Sequence, residues 1–191
     1  MPESHRVWFA TSNAHKFEEC KFVLKELGIF PRRLPSKGRE IQAGDPSDVA
    51  VHAAAEAYRR LRKPLFVEDT GLFIDSLNGF PGTFASFAFK TLGVEGILKL
   101  MDGVTARDAE FVSAVAFCDG AARPRGFTGR LKGRLAASPS GRGGFGFDPI
   151  FVPRGASLTL AQMTLAEKCA ISHRARALRE FGGWFNMRRS G

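Results

Sequence analysis

The sequence predicts a mixed α/β fold, in which a central sheet with parallel and antiparallel strands is flanked by helices. Two observations support this prediction. The N-terminal part has the pattern of a strand, two helices and a strand, and the middle of the chain carries two strand patterns that suit an antiparallel pair. The length of 191 residues suits one domain with a sizeable core, so we predict a single domain over residues 1–191.

The first strand and the first helix follow from an apolar run and a capping signal. Residues 6–11 (RVWFAT) carry aromatic and β-branched side chains without a breaker, which predicts a short buried strand. Asn13 is the expected N-cap of a helix, and Gly28 is its expected end. A helix that begins directly after a strand is a typical anion site, because its first N–H groups have no partner within the helix.

A second helix and a second strand follow along the chain. Ser47 is the expected N-cap of a helix in which alanines recur at helical spacing, and Pro64 ends it. Residues 65–67 predict a buried strand that ends in Glu68 and Asp69. Because adjacent side chains of a strand point to opposite faces, we expect only one of these two acids to face a site.

The rest of the chain alternates between turn signals and regular patterns. The predicted elements are, in order, a loop at 79–82, a short helix around 96–101, a strand at 110–118, its partner strand at 126–135, a glycine-rich turn at 141–146 and an apolar segment at 149–152. Thr164 and Glu167 have the spacing of a capping box, which predicts that the C-terminal helical region begins there.

The formal net charge of +9 is concentrated in the C-terminal third. Residues 1–119 hold 15 basic and 16 acidic residues, whereas residues 120–191 hold 13 basic and three acidic ones. This asymmetry suits a polyanionic partner, and a nucleic acid, a nucleotide, an acidic membrane surface and plain surface charge are all compatible with it. The sequence has no signal-peptide pattern, no apolar run of about 20 residues, and no cysteine pattern for zinc or disulfides, which predicts a cytoplasmic protein.

Two N-terminal segments carry side chains that suit phosphate and metal chemistry. Residues 11–16 (TSNAHK) place two hydroxyls, an amide and Lys16 at a helix start, which suits a phosphate, and an ordinary capped turn is the alternative. Glu68 and Asp69 beside an apolar strand are costly unless they meet a metal, a cation or water. A loop acid that caps a turn is the alternative there, and we assign no function to the isolated His15.

Two later segments suit a flat heterocycle and an anion. Residues 145–149 (FGFDP) offer two aromatic rings and a carboxylate in a restricted turn, although core packing is the ordinary role of any one of the 18 phenylalanines. Lys168, Ser172, His173 and Arg174 lie close together in the basic third. They converge only if the helix breaks near Ser172, and a solvated helix face is the alternative.

Together, five segments of the sequence resemble the inosine triphosphate pyrophosphatase family, the Ham1-like hydrolases of noncanonical purine nucleoside triphosphates. They stand in the family's order and span nearly the whole chain. They are TSNAHK at 11–16, VEDTGL at 67–72, GFPG at 79–82, GFGFDPIF at 144–151 and AEKCAISHR at 166–174. The resemblance implies a two-lobed α/β fold around a long mixed sheet, an active-site cleft between the lobes, and a homodimer.

The same resemblance implies an enzyme and a set of site residues. The implied reaction is Mg²⁺-dependent hydrolysis of ITP, dITP and XTP to the nucleoside monophosphate and pyrophosphate, which removes these nucleotides from the pool. The implied catalytic residues are Asp69 and Lys16. The implied substrate-binding residues are Thr11, Ser12, Asn13, Lys16, Phe145, Phe147, Asp148, Lys168, Ser172, His173 and Arg174. The implied ligands of Mg²⁺ are Glu40, Asp69 and Glu68.

The sequence departs from the family pattern at three positions. Ser12 stands where glycine is common in the phosphate loop, Ala53 where a lysine is common on the second helix, and Phe84 where tyrosine is frequent. Two alternatives to the implied reaction are a phosphatase that releases orthophosphate and a nucleic-acid-binding module that uses the basic third. Because the sequence has no RNP-like or helix-turn-helix signature, we expect no stable nucleic-acid partner, and because it has no long apolar run we expect no membrane partner.

Overall fold

Parallel and antiparallel strands meet in one sheet, as the sequence predicts. Within residues 6–35 and 41–190, which the computed structural model describes, the chain forms seven strands and six α-helices. The strands are β1 (Arg6–Ala10), β2 (Phe30–Leu34), β3 (Leu65–Ile74), β4 (Pro81–Gly82), β5 (Asp108–Cys118), β6 (Arg125–Leu135) and β7 (Phe151–Pro153). The α-helices are α1 (Ala14–Lys25), α2 (Pro46–Leu61), α3 (Ala85–Thr91), α4 (Gly93–Leu100), α5 (Leu165–Ile171) and α6 (His173–Ser190).

The strand order in the sheet is β2-β1-β3-β5-β6-β7, and β4 pairs with the second half of β3. β1 is parallel to β2 and to β3, because α1 and α2 return the chain to the same end of the sheet. The pairs β3–β5, β5–β6 and β6–β7 are antiparallel. The mixed sheet flanked by helices is therefore confirmed. No helix of the described part is long and apolar enough to cross a membrane.

An open stretch of strand edge lies in the middle of β3. Among the described residues, β1 pairs only with Leu65 and Phe66 of β3, and β4 pairs only with Leu72 and Phe73. Residues 67–71 between these two contacts are paired with β5 on their other side. Side chains near this open edge can therefore reach a common space beside the sheet.

Three groups of buried side chains hold the helices against the sheet. The first lies under α1 and α6, the second lies under α3 and α4 at the far end of β5 and β6, and the third lies under α2. Phe66 belongs to the first group and Leu72 to the second, so these two groups lie on either side of the open edge of β3. This arrangement gives the two lobes that the resemblance implies.

One expectation about the strands is wrong, and one strand was not predicted. β3 continues to Ile74, so Glu68 and Asp69 lie inside the strand and not at its end, because β5 pairs with β3 along its whole length. β2 was not expected, because its sequence FPRRL contains a proline and two arginines. As an edge strand that pairs with β1 alone among the described strands, β2 tolerates that composition.

The helix boundaries are largely as expected, with one corrected cap and one additional helix. Asp45 and not Ser47 caps α2, since its carboxylate accepts a hydrogen bond from the Ser47 N–H at 2.7 Å and Pro46 occupies the first helical position. α4 confirms the short helix near residues 96–101, whereas α3 before it was not expected. Thr164 caps α5 with the predicted capping box.

Candidate active site

A cavity of about 680 Å³ lies beside the open edge of β3. Its walls come from the end of β1, the start of α1, α2, β3, α3, the glycine-rich turn before β7 and the start of α6. The predicted site residues that line it are Thr11, Ser12, Asn13, Lys16, Glu68, Asp69, Phe145, Phe147, Asp148, His173 and Arg174. Lys168 and Ser172 do not line the cavity, and Glu40 lies outside the described residues. The volume suits one small ligand.

The start of α1 turns toward this cavity. Asn13 caps the helix as predicted, because its Oδ1 accepts a hydrogen bond from the Lys16 N–H at 3.1 Å. The Thr11 hydroxyl accepts one from the Asn13 N–H at 3.1 Å, which fixes the turn between β1 and α1. The Lys16 ammonium lies 2.8 Å from Oε2 of Glu68, so the first turn of α1 is tied to β3. This helix start suits an anionic ligand.

Glu68 and Asp69 both belong to the cavity wall, but the Glu68 side chain has no exposed surface, so the expectation that only one of the two acids faces the site stays a prediction. Glu68 shares a face of the strand with Phe66, toward α6, and Asp69 shares the other face with Val67, toward α2. Because β3 has an open edge at these residues, both of them belong to the cavity wall.

The carboxylate of Glu68 is held by polar groups from four parts of the chain. Oε1 accepts hydrogen bonds from the Arg174 Nε at 3.0 Å and from the hydroxyls of Ser113 and Thr70, and Lys16 faces Oε2. Burial opposes ionisation of this carboxyl, but the charges of Arg174 and Lys16 outweigh burial and hold the pKa of Glu68 well below its usual range. Glu68 is therefore an ionised anchor for two cations.

Behind the wall of the cavity, further buried charges extend this network. The Lys168 ammonium lies 2.6 Å from Oε1 of Glu19 and 2.5 Å from Oδ2 of Asp148, and Arg174 pairs with the other oxygen of Glu19. Burial opposes ionisation of Glu19, yet Arg174 and Lys168 lower its pKa, whereas burial raises the pKa of Asp148. Binding of substrate by Lys168 stays a prediction, because in the structure both carboxylates hold its ammonium.

Glu19 is a residue of this network that the sequence reasoning missed. It is buried on α1, directly before Cys20 in the apolar stripe of the helix. A charged side chain in such a stripe is costly to bury without a partner. The place of Glu19 in the stripe was therefore the sequence signal for a buried ion pair. The partners themselves are 149 and 155 residues away in sequence, so no local pattern pointed to them.

The predicted break of the helix at Ser172 is confirmed. Ser172 ends α5, with its N–H donating to the Lys168 carbonyl at 2.9 Å, and its hydroxyl then accepts a hydrogen bond from the Ala175 N–H at 3.2 Å. This junction turns His173 and Arg174 toward the cavity, which one straight helix would not do. Ser172 therefore acts in the structure as a helix cap.

His173 presents a neutral ring to the cavity. It is only 2% exposed and stacks on Phe111 with ring centroids 4.5 Å apart. Burial, reinforced by the charge of Arg174, lowers the pKa of His173 well below its usual range. Neither ring nitrogen has a hydrogen-bond partner within the described residues. A neutral imidazole has one donor and one acceptor, so this ring can bind a polar edge of a ligand.

Phe145 lies at the centre of a group of rings and cations. The His15 ring stacks on it at 5.3 Å, and the Lys168 ammonium and the Arg174 guanidinium lie 4.9 and 5.2 Å from its centroid. His15 is exposed and lines the cavity, so the structure brings an additional aromatic residue to the predicted site. No sequence pattern indicates this contact, since a single histidine on a helix is uninformative.

Phe147 and Asp148 have structural contacts as well as a place in the cavity wall. Phe147 is buried and meets the Phe89 ring edge-on at 5.4 Å. The Asp148 carboxylate accepts a hydrogen bond from the Phe145 N–H at 2.7 Å, which holds the turn of residues 145–148 together. Direct contacts of these residues with a substrate stay predictions.

The described residues fit a magnesium site in part. The Asp69 carboxylate lies in the cavity, and Mg²⁺ commonly takes one or two carboxylates together with phosphate oxygens of its ligand. Glu68 is less suited, because Lys16 and Arg174 already face its oxygens. Within the described residues, no group of three or more His, Cys, Asp or Glu side chains could hold a metal ion. Asp69 is therefore the described carboxylate that best fits a phosphate-bound ion.

Known proteins with similar sequences cover nearly the whole chain. A dITP/XTP pyrophosphatase of Methanopyrus kandleri is 44% identical over 186 residues, which cover 97% of this chain and 99% of that protein. A dITP/XTP pyrophosphatase of Thermococcus kodakarensis is 46% identical over 179 residues, which cover 94% of this chain and 96% of that protein.

Solved structures and a family comparison agree with these sequences. The Ham1 protein of Staphylococcus aureus has a TM-score of 0.81 at 25% identity and covers 96% of this chain and 99% of its own. A HAM1 protein of Coxiella burnetii has a TM-score of 0.83 at 27% identity and covers 95% and 98%. The sequence model of the Ham1 family matches residues 7–184. This chain therefore belongs to the Ham1 family.

Proposed function

We propose that this protein hydrolyses noncanonical purine nucleoside triphosphates (ITP, dITP and XTP) to the nucleoside monophosphate and pyrophosphate. The observation that carries this proposal is one cavity in which the start of α1, the carboxylate of Asp69 and the neutral ring of His173 meet. These three parts suit the phosphates, the attacking water and the base of one nucleotide. The names of the two relatives, both dITP/XTP pyrophosphatases, support the same substrate class.

In this proposal, the chain positions the phosphates and activates a water molecule. The N–H groups at the start of α1, the polar side chains of Thr11 and Asn13, and the Lys16 ammonium hold the triphosphate. Asp69 accepts a proton from a water molecule, whose oxygen attacks the α-phosphorus. The bond from the α-phosphorus to the oxygen that bridges to the β-phosphate then breaks, so pyrophosphate leaves.

We also propose that the reaction depends on Mg²⁺, with Asp69 and Glu40 as ligands. The bound ion would neutralise phosphate charge and polarise the phosphoryl oxygens. Asp69 supports this proposal through its place in the cavity, and Glu40 rests on the resemblance of the sequence.

The preference among purine bases is proposed to follow from the hydrogen-bond donors of His173 and Arg174 in the cavity wall. His173 has ring nitrogens without a protein partner in the described part, and Arg174 donates to Glu68, Glu19 and Thr70. A donor from either residue suits the 6-keto oxygen of hypoxanthine or xanthine. Adenine presents an amino group there, which would leave the protein donor without an acceptor. We therefore expect ATP to be a poor substrate.

We propose a homodimer that acts in the cytoplasm, where the nucleotide pool is. Besides the family resemblance, a cluster of exposed aromatic rings supports the dimer. The rings of Phe80, Phe84 and Phe87 are 42%, 44% and 66% exposed around the start of α3. Exposed apolar clusters of this kind are typical of protein interfaces. Light scattering during size-exclusion chromatography measures the mass of the particle and tests the dimer directly.

Product analysis tests the proposed reaction. The protein is incubated with ITP, XTP, dITP, ATP or GTP and Mg²⁺, and the products are separated by ion-exchange chromatography. We expect nucleoside monophosphate and pyrophosphate in equal amounts from the first three nucleotides, and little from ATP. Release of orthophosphate without pyrophosphate would refute the proposal in favour of a phosphatase.

A further inference from the structure

The basic side chains that form ion pairs at the cavity are balanced by carboxylates. In their ionised forms, the members of this ion-pair network are three cations and three carboxylates: Lys16, Lys168, Arg174, Glu19, Glu68 and Asp148. A nucleoside triphosphate carries about four negative charges, and its binding depends on charge neutralisation. This network therefore offers the phosphates donors but no excess positive charge.

One cation of the cavity wall stands outside this network. Lys90 lines the cavity from the last turn of α3, and it is exposed. Within the described residues, no carboxylate lies at salt-bridge distance from Lys90, whereas Lys16 and Arg174, the other lysine and arginine of the wall, both have carboxylate partners. The ammonium of Lys90 is therefore available to a ligand.

The part of the cavity wall that α2 forms supplies no positive charge. Ala50 and Ala53 line the cavity from α2, and their methyl groups carry no charge. Among the described lining residues of α2 and α3, Lys90 is the cationic one.

We propose that Lys90 binds the triphosphate chain of the nucleotide and neutralises part of its charge. The phosphates are the anionic part of such a substrate, so they are the part that a cationic side chain of the cavity wall attracts. This inference rests on the proposed function, because the substrate there is a nucleoside triphosphate. Lys90 then stabilises the bound substrate and the transition state equally, so its loss raises KM with little change in kcat.

Kinetics with a matched control test this role. Lys90→Met keeps the length and the apolar stem of the side chain but removes the charge, and Lys90→Arg keeps the charge. Lys99→Met is the control, because Lys99 is an exposed lysine of the neighbouring helix α4 that does not line the cavity. For dITP, we expect a KM about tenfold higher in Lys90→Met and within about twofold of the wild type in the other two variants.

Binding of inorganic tripolyphosphate separates this inference from the proposed function. Isothermal titration calorimetry measures the Kd of wild type and Lys90→Met for this probe, which contains no base and needs no turnover. We expect a Kd about tenfold weaker in the variant. If the wild type hydrolyses none of the nucleotides but tripolyphosphate binding still depends on Lys90, the proposed function fails and this inference stands. Equal Kd values of wild type and Lys90→Met for tripolyphosphate, or no binding by either protein, overturn the inference.

Discussion

Arg174, at the start of α6, donates from Nε to Oε1 of Glu68 in β3 at 3.0 Å, and neither side chain is more than 3% exposed. The residues next to this pair are those with the proposed chemistry, since Asp69 follows Glu68 and His173 precedes Arg174. The ion pair therefore sets the position of Asp69, the proposed general base, relative to the His173 ring in the cavity wall. A buried pair of this kind is costly to break, because the remaining charge loses its partner.

The first prediction concerns the stability that Glu68 provides. Glu68→Gln keeps the shape of the side chain but leaves the buried Arg174 with less opposite charge, so we expect the free energy of unfolding to fall by about 3–5 kcal/mol. Glu26→Gln is the control, because it removes the carboxylate of an exposed ion pair with Arg179 and is expected to cost less than about 1 kcal/mol. Urea denaturation measures both values, and equal losses would contradict a special role for Glu68.

The second prediction is the acid dependence of the same pair. The folded-state pKa of Glu68 is lowered from the ordinary value of 4.5. The carboxylate therefore stabilises the fold fully above that value, and this stabilisation is lost as the pH falls below it. We expect the difference in unfolding free energy between wild type and Glu68→Gln to shrink below about pH 4.5. A difference that is constant from about pH 3 to 7 would contradict the assignment.

The third prediction concerns the neutral state of His173. Its pKa is lowered in the folded protein from 6.5, so below that pH the unfolded chain takes up a proton that the folded chain does not. The protein therefore loses stability as the pH falls. His173→Phe keeps a ring against Phe111 but does not titrate. Between about pH 7.5 and pH 5, we expect the wild type to lose up to about 2 kcal/mol more than this variant in urea denaturation. Equal losses would indicate a protonated His173.

The sequence predicted those features that depend on residues close together along the chain. The caps at Asn13 and Thr164 and the break at Ser172 depend on residues within one or two turns, and the structure confirms all three. The strand β2 was missed, because only its pairing with β1 makes an extended segment of FPRRL. The full length of β3 was missed for the same reason, since β5 determines it.

The candidate site was predictable in its composition and less so in its contacts. The resemblance pointed to the residues that line the cavity, such as Thr11, Asp69 and His173. It did not indicate the burial of Glu19 against Lys168, because these residues meet only when α1 packs beside the α5–α6 junction. The cavity itself depends on which strands pair with β3, and a single sequence does not specify that pairing.

The fourth prediction tests the proposed general base. Asp69→Asn retains the size of the side chain but cannot accept the proton of the attacking water, so we expect pyrophosphate release from dITP to fall at least about 100-fold. Far-ultraviolet circular dichroism and urea denaturation check that the fold persists. Asp75→Asn is a suitable control, because Asp75 comes directly after β3 and does not line the cavity. Substantial activity of Asp69→Asn in a folded protein would refute the assignment.

The fifth prediction concerns the close contact between β6 and the start of α6. A Cβ atom on Gly129 would lie 2.1 Å from the His173 carbonyl oxygen and 2.6 Å from the Ala177 nitrogen, so Gly129→Ala forces the helix away from the sheet. We expect a loss of about 1–3 kcal/mol in unfolding free energy and a higher KM for dITP, because His173 moves with the helix. Gly183→Ala in the same helix meets no atom within 4 Å, so it is expected to be neutral or to stabilise by up to about 1 kcal/mol. A stable and fully active Gly129→Ala protein would show that α6 can shift without moving the site.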